Sequence, residues 1–115
     1  MATVRQLRRI ALSLPEATEQ DHHGRPSFRV RGKIFATLWD PEHVNIMLDL
    51  HQVRIAVNEY PHVCREFWWG KQIRAVQLTL PLADARVVRE LITAAWRLKA
   101  PRELTRPRSG KMTSR

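Results

Sequence analysis

Apolar residues return every three or four positions near both ends of the chain and alternate in between, a pattern that predicts two helices flanking a set of strands. Val4, Leu7, Ile10, Ala11 and Leu14 share one helical face, while Arg5, Arg8 and Arg9 gather on another as a solvated stripe. Thr3-Val4-Arg5-Gln6 fits a capping box, and Pro15 cannot continue the ladder, so the first helix runs from about Val4 to Ser13. Near the other end, Val87, Val88, Leu91, Ile92, Ala94, Ala95 and Leu98 cover a broad apolar arc. Asp84 stands where a helix N-terminus favours negative charge, giving a second helix from Asp84 to Lys99. Trp96 extends its Val88 and Ile92 row and is expected in the core.

Between the helices the period falls to two. Ser27 to Trp39 reads as a hairpin folded at Arg31-Gly32, provided Gly32 takes a positive φ. That register sets Val30 opposite Lys33 and Phe28 opposite Phe35, with Phe28, Val30 and Phe35 on one face and Ile34, Ala36 and Leu38 on the other. Glu16 to His23 fits an edge strand, and Asp40-Pro41 turns the chain into a strand from His43 to Leu48. Leu50, Val53, Ile55, Ala56 and Val57 fit a short helix stopped by Asn58 to Pro61. The next strand runs from Ile73 to Leu80, with Val76, Leu78 and Leu80 on one side and Ala75, Gln77 and Thr79 on the other. Together these elements predict an α+β single domain: an antiparallel sheet with N- and C-terminal helices packed on it. Apolar residues on both hairpin faces imply that the second face meets either a wrapping element or a partner, for which a homodimer is the least demanding choice.

The segment His23-Gly24-Arg25-Pro26-Ser27-Phe28-Arg29-Val30-Arg31-Gly32-Lys33-Ile34-Phe35-Ala36 follows Leu14-Pro15-Glu16 and precedes Tyr60-Pro61, then Trp69-Gly70-Lys71, then Arg97 to Leu104. In that order and spacing the motifs resemble the MmcQ/YjbR family of small bacterial proteins, over roughly Val4 to Leu104. Ile73 departs from the pattern, where a large aromatic residue, often Trp, is expected. The resemblance implies an α+β fold similar to the frataxin-like or secretion-chaperone-like folds. It also implies DNA binding, a label commonly given to members, but it carries no residue signature for a DNA site.

With 115 residues and 43% apolar composition, the chain suits one domain with one core. No apolar run approaches the roughly 20 residues that span a bilayer, and the N-terminus lacks a signal-peptide core, so a cytoplasmic protein without membrane contact is expected. Cys64 is the single cysteine, which excludes an internal disulfide and a thiolate zinc site within one chain. The net charge of +9 is unevenly placed: Arg97 to Arg115 holds seven basic residues and one acid, Glu103. This divides the chain into a domain over 1–104 and a basic, flexible tail over 105–115, either a solvated tail or an electrostatic arm.

Chemistry-bearing patterns are sparse. Asp21-His22-His23 holds metal-ligand types, yet neighbours on a strand point to opposite faces and would not converge on one ion. His62 and Cys64 would share a face if extended, but nothing nearby offers an orienting group or an anion pocket, so Cys64 reads as a buried structural residue. Glu16, Glu19 and Asp21 read as surface charges. No phosphate loop or nucleophile elbow is present, and the expectation is a non-enzyme without a cofactor. Two clusters suit nucleic acid: Arg25, Arg29, Arg31 and Lys33 as a basic wing on the hairpin, and Arg65, Lys71 and Arg74 around Phe67-Trp68-Trp69. Alternatively, one of Trp68 and Trp69 fills the core and the other seals a dimer or loop contact. The expectation is weak, largely sequence-independent DNA binding through hairpin and tail. The alternative is a protein-interaction or small-ligand module using an apolar sheet face and the Trp68/Trp69 region.

Overall fold

A computed structural model describes residues 1–105; the expected tail lies, from residue 106 onward, outside the described residues. In chain order the elements are α1 (Val4–Leu12), β1 (Ala17–His22), β2 (Arg25–Val30), β3 (Lys33–Asp40), β4 (His43–Ile46), α2 (Leu50–Glu59), β5 (Cys64–Trp69), β6 (Gln72–Thr79), α3 (Ala85–Lys99) and α4 (Arg102–Thr105). The strands form one antiparallel sheet in the order β1-β2-β3-β4-β6-β5. This is the α+β architecture expected from the pattern, with the helices gathered on one face.

Local chemistry explains where the helices begin. Thr3 and Gln6 exchange side-chain and backbone hydrogen bonds as a capping box, and Asp49 and Gln52 do the same at the start of α2. Asp84 caps α3 by accepting from the Val87 amide at 3.0 Å. Leu7, Ile10 and Ala11 of α1, Val53 and Ala56 of α2, and Val88, Ile92 and Ala95 of α3 join Phe28, Val30, Val44, Ile46, Val76 and Leu78 in one core. Full burial of one of the larger of these side chains, a Val, Leu, Ile or Phe, contributes about 1.5–3 kcal/mol. Trp96 is 5% exposed and donates its indole N–H to the Pro15 carbonyl at 3.0 Å, tying α3 to the end of α1.

The hairpin turns at Arg31 (φ 51) and Gly32 (φ 82), and Val30 pairs with Lys33 as expected. The positive φ pair is the backbone of a two-residue hairpin turn, which glycine adopts without steric penalty. Beyond it the expected register fails. Phe28 lies opposite Ala36, and Arg29 opposite Ile34, because Phe35 is an extra residue in a bulge. Phe35 and Ala36 are both fully buried, and Leu38 follows them into the core. Of the three residues expected on the second face, only Ile34 stays there, lining a hollow described below.

A whole strand also escaped the sequence pattern. β5 pairs with β6 along its length, and the two are joined by Gly70-Lys71, with Gly70 at φ 65. It sits at the sheet edge, where Glu66 and Trp68 remain exposed, so no apolar alternation marks it. Among the described residues no helix is long and apolar enough to cross a membrane.

Candidate functional site

With the helices on one face, the other face of the sheet is left without a helical cover, and polar side chains form its floor. Ser27, Asn45 and Gln77 are buried there, and each has a hydrogen-bond partner. Arg65 donates through Nε and Nη2 to Gln77 Oε1 at 3.2 and 2.9 Å, and Gln77 Nε2 donates to Asn45 Oδ1 at 2.9 Å, a chain crossing β5, β6 and β4. Toward the other edge, Arg29 Nε donates to Ser27 Oγ at 3.1 Å, and that hydroxyl donates to the Gln20 carbonyl at 2.8 Å.

Aromatic rings rise from this floor. Trp39 and Phe67 meet edge to face, with centroids 5.1 Å apart at 64°. They stand on β3 and β5, which three strand spacings, about 14 Å of flat sheet, would separate. The two long side chains bridge that span and bound a hollow that makes the uncovered face concave. Trp39 is itself the extra residue of a second bulge, between Leu38 and Asp40. The Arg25 guanidinium lies 4.0 Å from the centre of the Trp39 ring, and its Nε donates to the Trp39 carbonyl at 2.8 Å.

The concave face holds a hollow of about 560 Å³. It is lined by Ile34, Thr37, Trp39, Asn45, Met47, Phe67, Trp69 and Ala75, together with Arg25, Arg74, His22 and His23. Among the described residues no carboxylate lines it. Arg25, Arg29, Arg65 and Arg74 have no ion-pair partner among the described residues, in contrast to Arg8 on Glu19 and Arg31 on Glu16.

The expected basic wing is therefore dispersed. Arg25 opens β2 and Arg31 lies in the turn just past its far end, about 20 Å away along the strand. Arg31 is held by Glu16 and faces Glu103 at 3.7 Å. That contact raises the Arg31 pKa and lowers that of Glu16, the side-chain hydrogen bond between them being the main cause. Lys33 is exposed at the hairpin turn and Lys71 at the β5–β6 turn. Trp68 and Trp69 are 54% and 63% exposed, so neither ring fills the core. Trp69 lines the hollow, whereas Trp68 points to the opposite side of β5 and donates to Glu66 at 3.3 Å.

His22 and His23 do come together, contrary to the strand geometry, because His23 leaves the strand with φ 54; their rings meet 4.6 Å apart. No group of three or more metal-ligating side chains occurs among the described residues. Cys64 is buried, and burial pushes its thiol up to about 11, with Glu90 adding to the effect. A second, shallower groove of about 600 Å³ runs between α2 and α3 beside Arg86, Arg89, Glu90 and Arg97, and no ring lines it. Sequence reasoning missed Trp39, Asn45, Met47 and Gln77. The Gly70-Lys71 turn, with Arg65, Phe67 and Trp69 at every second position before it, was the signal that would have placed Trp69 beside Phe67.

No curated protein sequence matches the chain. Among solved structures, the crystal structure of the Deinococcus radiodurans protein DR2400, which carries a DUF419 domain, is similar with a TM-score of 0.70. The match covers 85% of this chain and 78% of that one at 20% identity, and it speaks for the fold alone. The YjbR family matches residues 12–98, which include the hairpin, the hollow and most of α3, so the chain belongs to the YjbR family.

Proposed function

We propose that the protein is a non-enzymatic DNA-binding module that engages the sugar–phosphate backbone with the concave face of its sheet, weakly and with little dependence on sequence. The observation that carries this reading is the set Arg25, Arg29, Arg65 and Arg74, which share one face with no carboxylate partner among the described residues. Arginine suits this task because its planar guanidinium offers several donors to phosphate oxygens and stays charged. Contacts of this kind position a protein on DNA without reading bases. The basic stretch beyond residue 105 adds attraction through its charge.

A second reading is favoured by one specific feature: most of the hollow's lining is apolar or aromatic, and its volume of about 560 Å³ suits a small organic ligand or a partner's side chain. Salt separates the two readings. Equilibrium titration of labelled DNA at two salt concentrations should show affinity falling steeply as salt rises, because bound arginines release counterions. Absence of binding at low salt removes the DNA reading and leaves the ligand-binding one.

A further inference from the structure

We infer that the hollow takes unpaired bases, so that the DNA it holds is single-stranded. This rests on the DNA-binding reading and narrows it. Arginines alone would serve duplex and single strand alike; the rings would not. In a duplex the base faces are buried in the stack and only edges appear in the grooves. An unpaired strand exposes the faces, which stack on aromatic side chains with little regard to sequence.

The hollow matches such a unit in three respects. Trp69 lines it and is nevertheless 63% exposed, a large ring left open to solvent beside Phe67 and Met47. Arg25 and Arg74 line it beside the rings, within reach of the phosphates that flank a seated base, and Arg25 is fixed by its contacts with Trp39. Asn45 lines the hollow with its Oδ1 accepting from Gln77 Nε2 at 2.9 Å, and its amide N–H groups have no hydrogen-bond partner among the described residues. Every base carries an acceptor on its edge, so this donor favours a base without selecting one. A hollow of about 560 Å³ admits single bases, whereas a whole duplex is too large to enter it.

The test uses the whole chain, a labelled oligo-dT of about 12 nucleotides, within the footprint of a small single-strand-binding domain, and a blunt duplex of equal length. Fluorescence anisotropy should give a dissociation constant about tenfold or more lower for the single strand. Trp69→Ala should weaken single-strand binding about five- to hundredfold, and Trp69→Phe should restore most of it. Trp68→Ala, on the opposite side of β5, should leave it unchanged. Circular dichroism checks that each variant folds, which the exposure of both rings favours. Equal affinity for both DNA forms, with no effect of Trp69→Ala, overturns this inference and leaves phosphate binding standing. No binding to either form overturns both.

Discussion

At the scale of single residues, Cys64 and Tyr60 hold their protons more tightly than usual, which makes the fold sensitive to alkali. Burial pushes the Cys64 thiol up to about 11. The hydrogen bond that Tyr60 donates to Glu90 at 2.7 Å, followed by partial burial, pushes the phenol up to about 12. Both folded values exceed those of the unfolded chain, so the native state retains protons that the unfolded state releases. The stabilisation is complete below about pH 9 and is lost as pH rises through about 9–11 for Cys64 and 10–12 for Tyr60. Urea unfolding should show a lower midpoint near pH 11 than near pH 8, with Tyr60→Phe losing less over that interval than the parent. An equally steep loss in the variant would remove Tyr60 from the account. Iodoacetamide should alkylate native Cys64 slowly near pH 8 and unfolded protein much faster, because only the thiolate reacts.

At the scale of elements, the bulges decide what faces the hollow. Without the extra residue Phe35, Ala36 and Leu38 would turn toward the concave face and the hairpin would be apolar on both sides. Ala36→Lys should therefore destabilise the protein by about 3 kcal/mol or more, since it forces a charge into a fully buried site. Thr37→Lys, one position along and facing the hollow, should cost far less. Denaturant unfolding measures both, and equal losses would contradict the bulged register. The ends of α1 and α3 were legible because caps and apolar periodicity are local properties of sequence. The turn at Arg31-Gly32 was legible for the same reason. The bulges at Phe35 and Trp39 were not, since they depend on which neighbouring strand pairs. β5 was missed because an edge strand with one covered core residue, Cys64, shows no apolar–polar alternation, which left the Gly70-Lys71 turn as its main signal. The Trp39 and Phe67 contact spans three strand spacings and depends on the strand order, which no local stretch of sequence reveals.

At the scale of the whole molecule, the family and α+β fold were readable from motif order, whereas the grouping of the candidate site was not. Arg25, Arg29, Arg31 and Lys33 are close in sequence, yet the strand carries Arg25 to the hollow and leaves Arg31 with Glu16. Arg31→Gln should accordingly change DNA affinity less than Arg74→Gln in a matched titration; the reverse ranking would restore the hairpin tip as the contact. On the proposed reading charge acts by face and not in bulk, and the helix side offers its own control in Arg86 and Arg89. The most direct measurement compares Arg29→Gln/Arg74→Gln with Arg86→Gln/Arg89→Gln, two double variants of equal net charge, titrated against single-stranded DNA across a salt series. The concave-face pair should weaken binding strongly and flatten the slope of log affinity against log salt by about 1.4, roughly 0.7 for each lost phosphate contact. The helix-face pair should leave affinity and slope close to those of the parent. Equal weakening by both pairs would show that DNA responds to net charge alone and contradict the account.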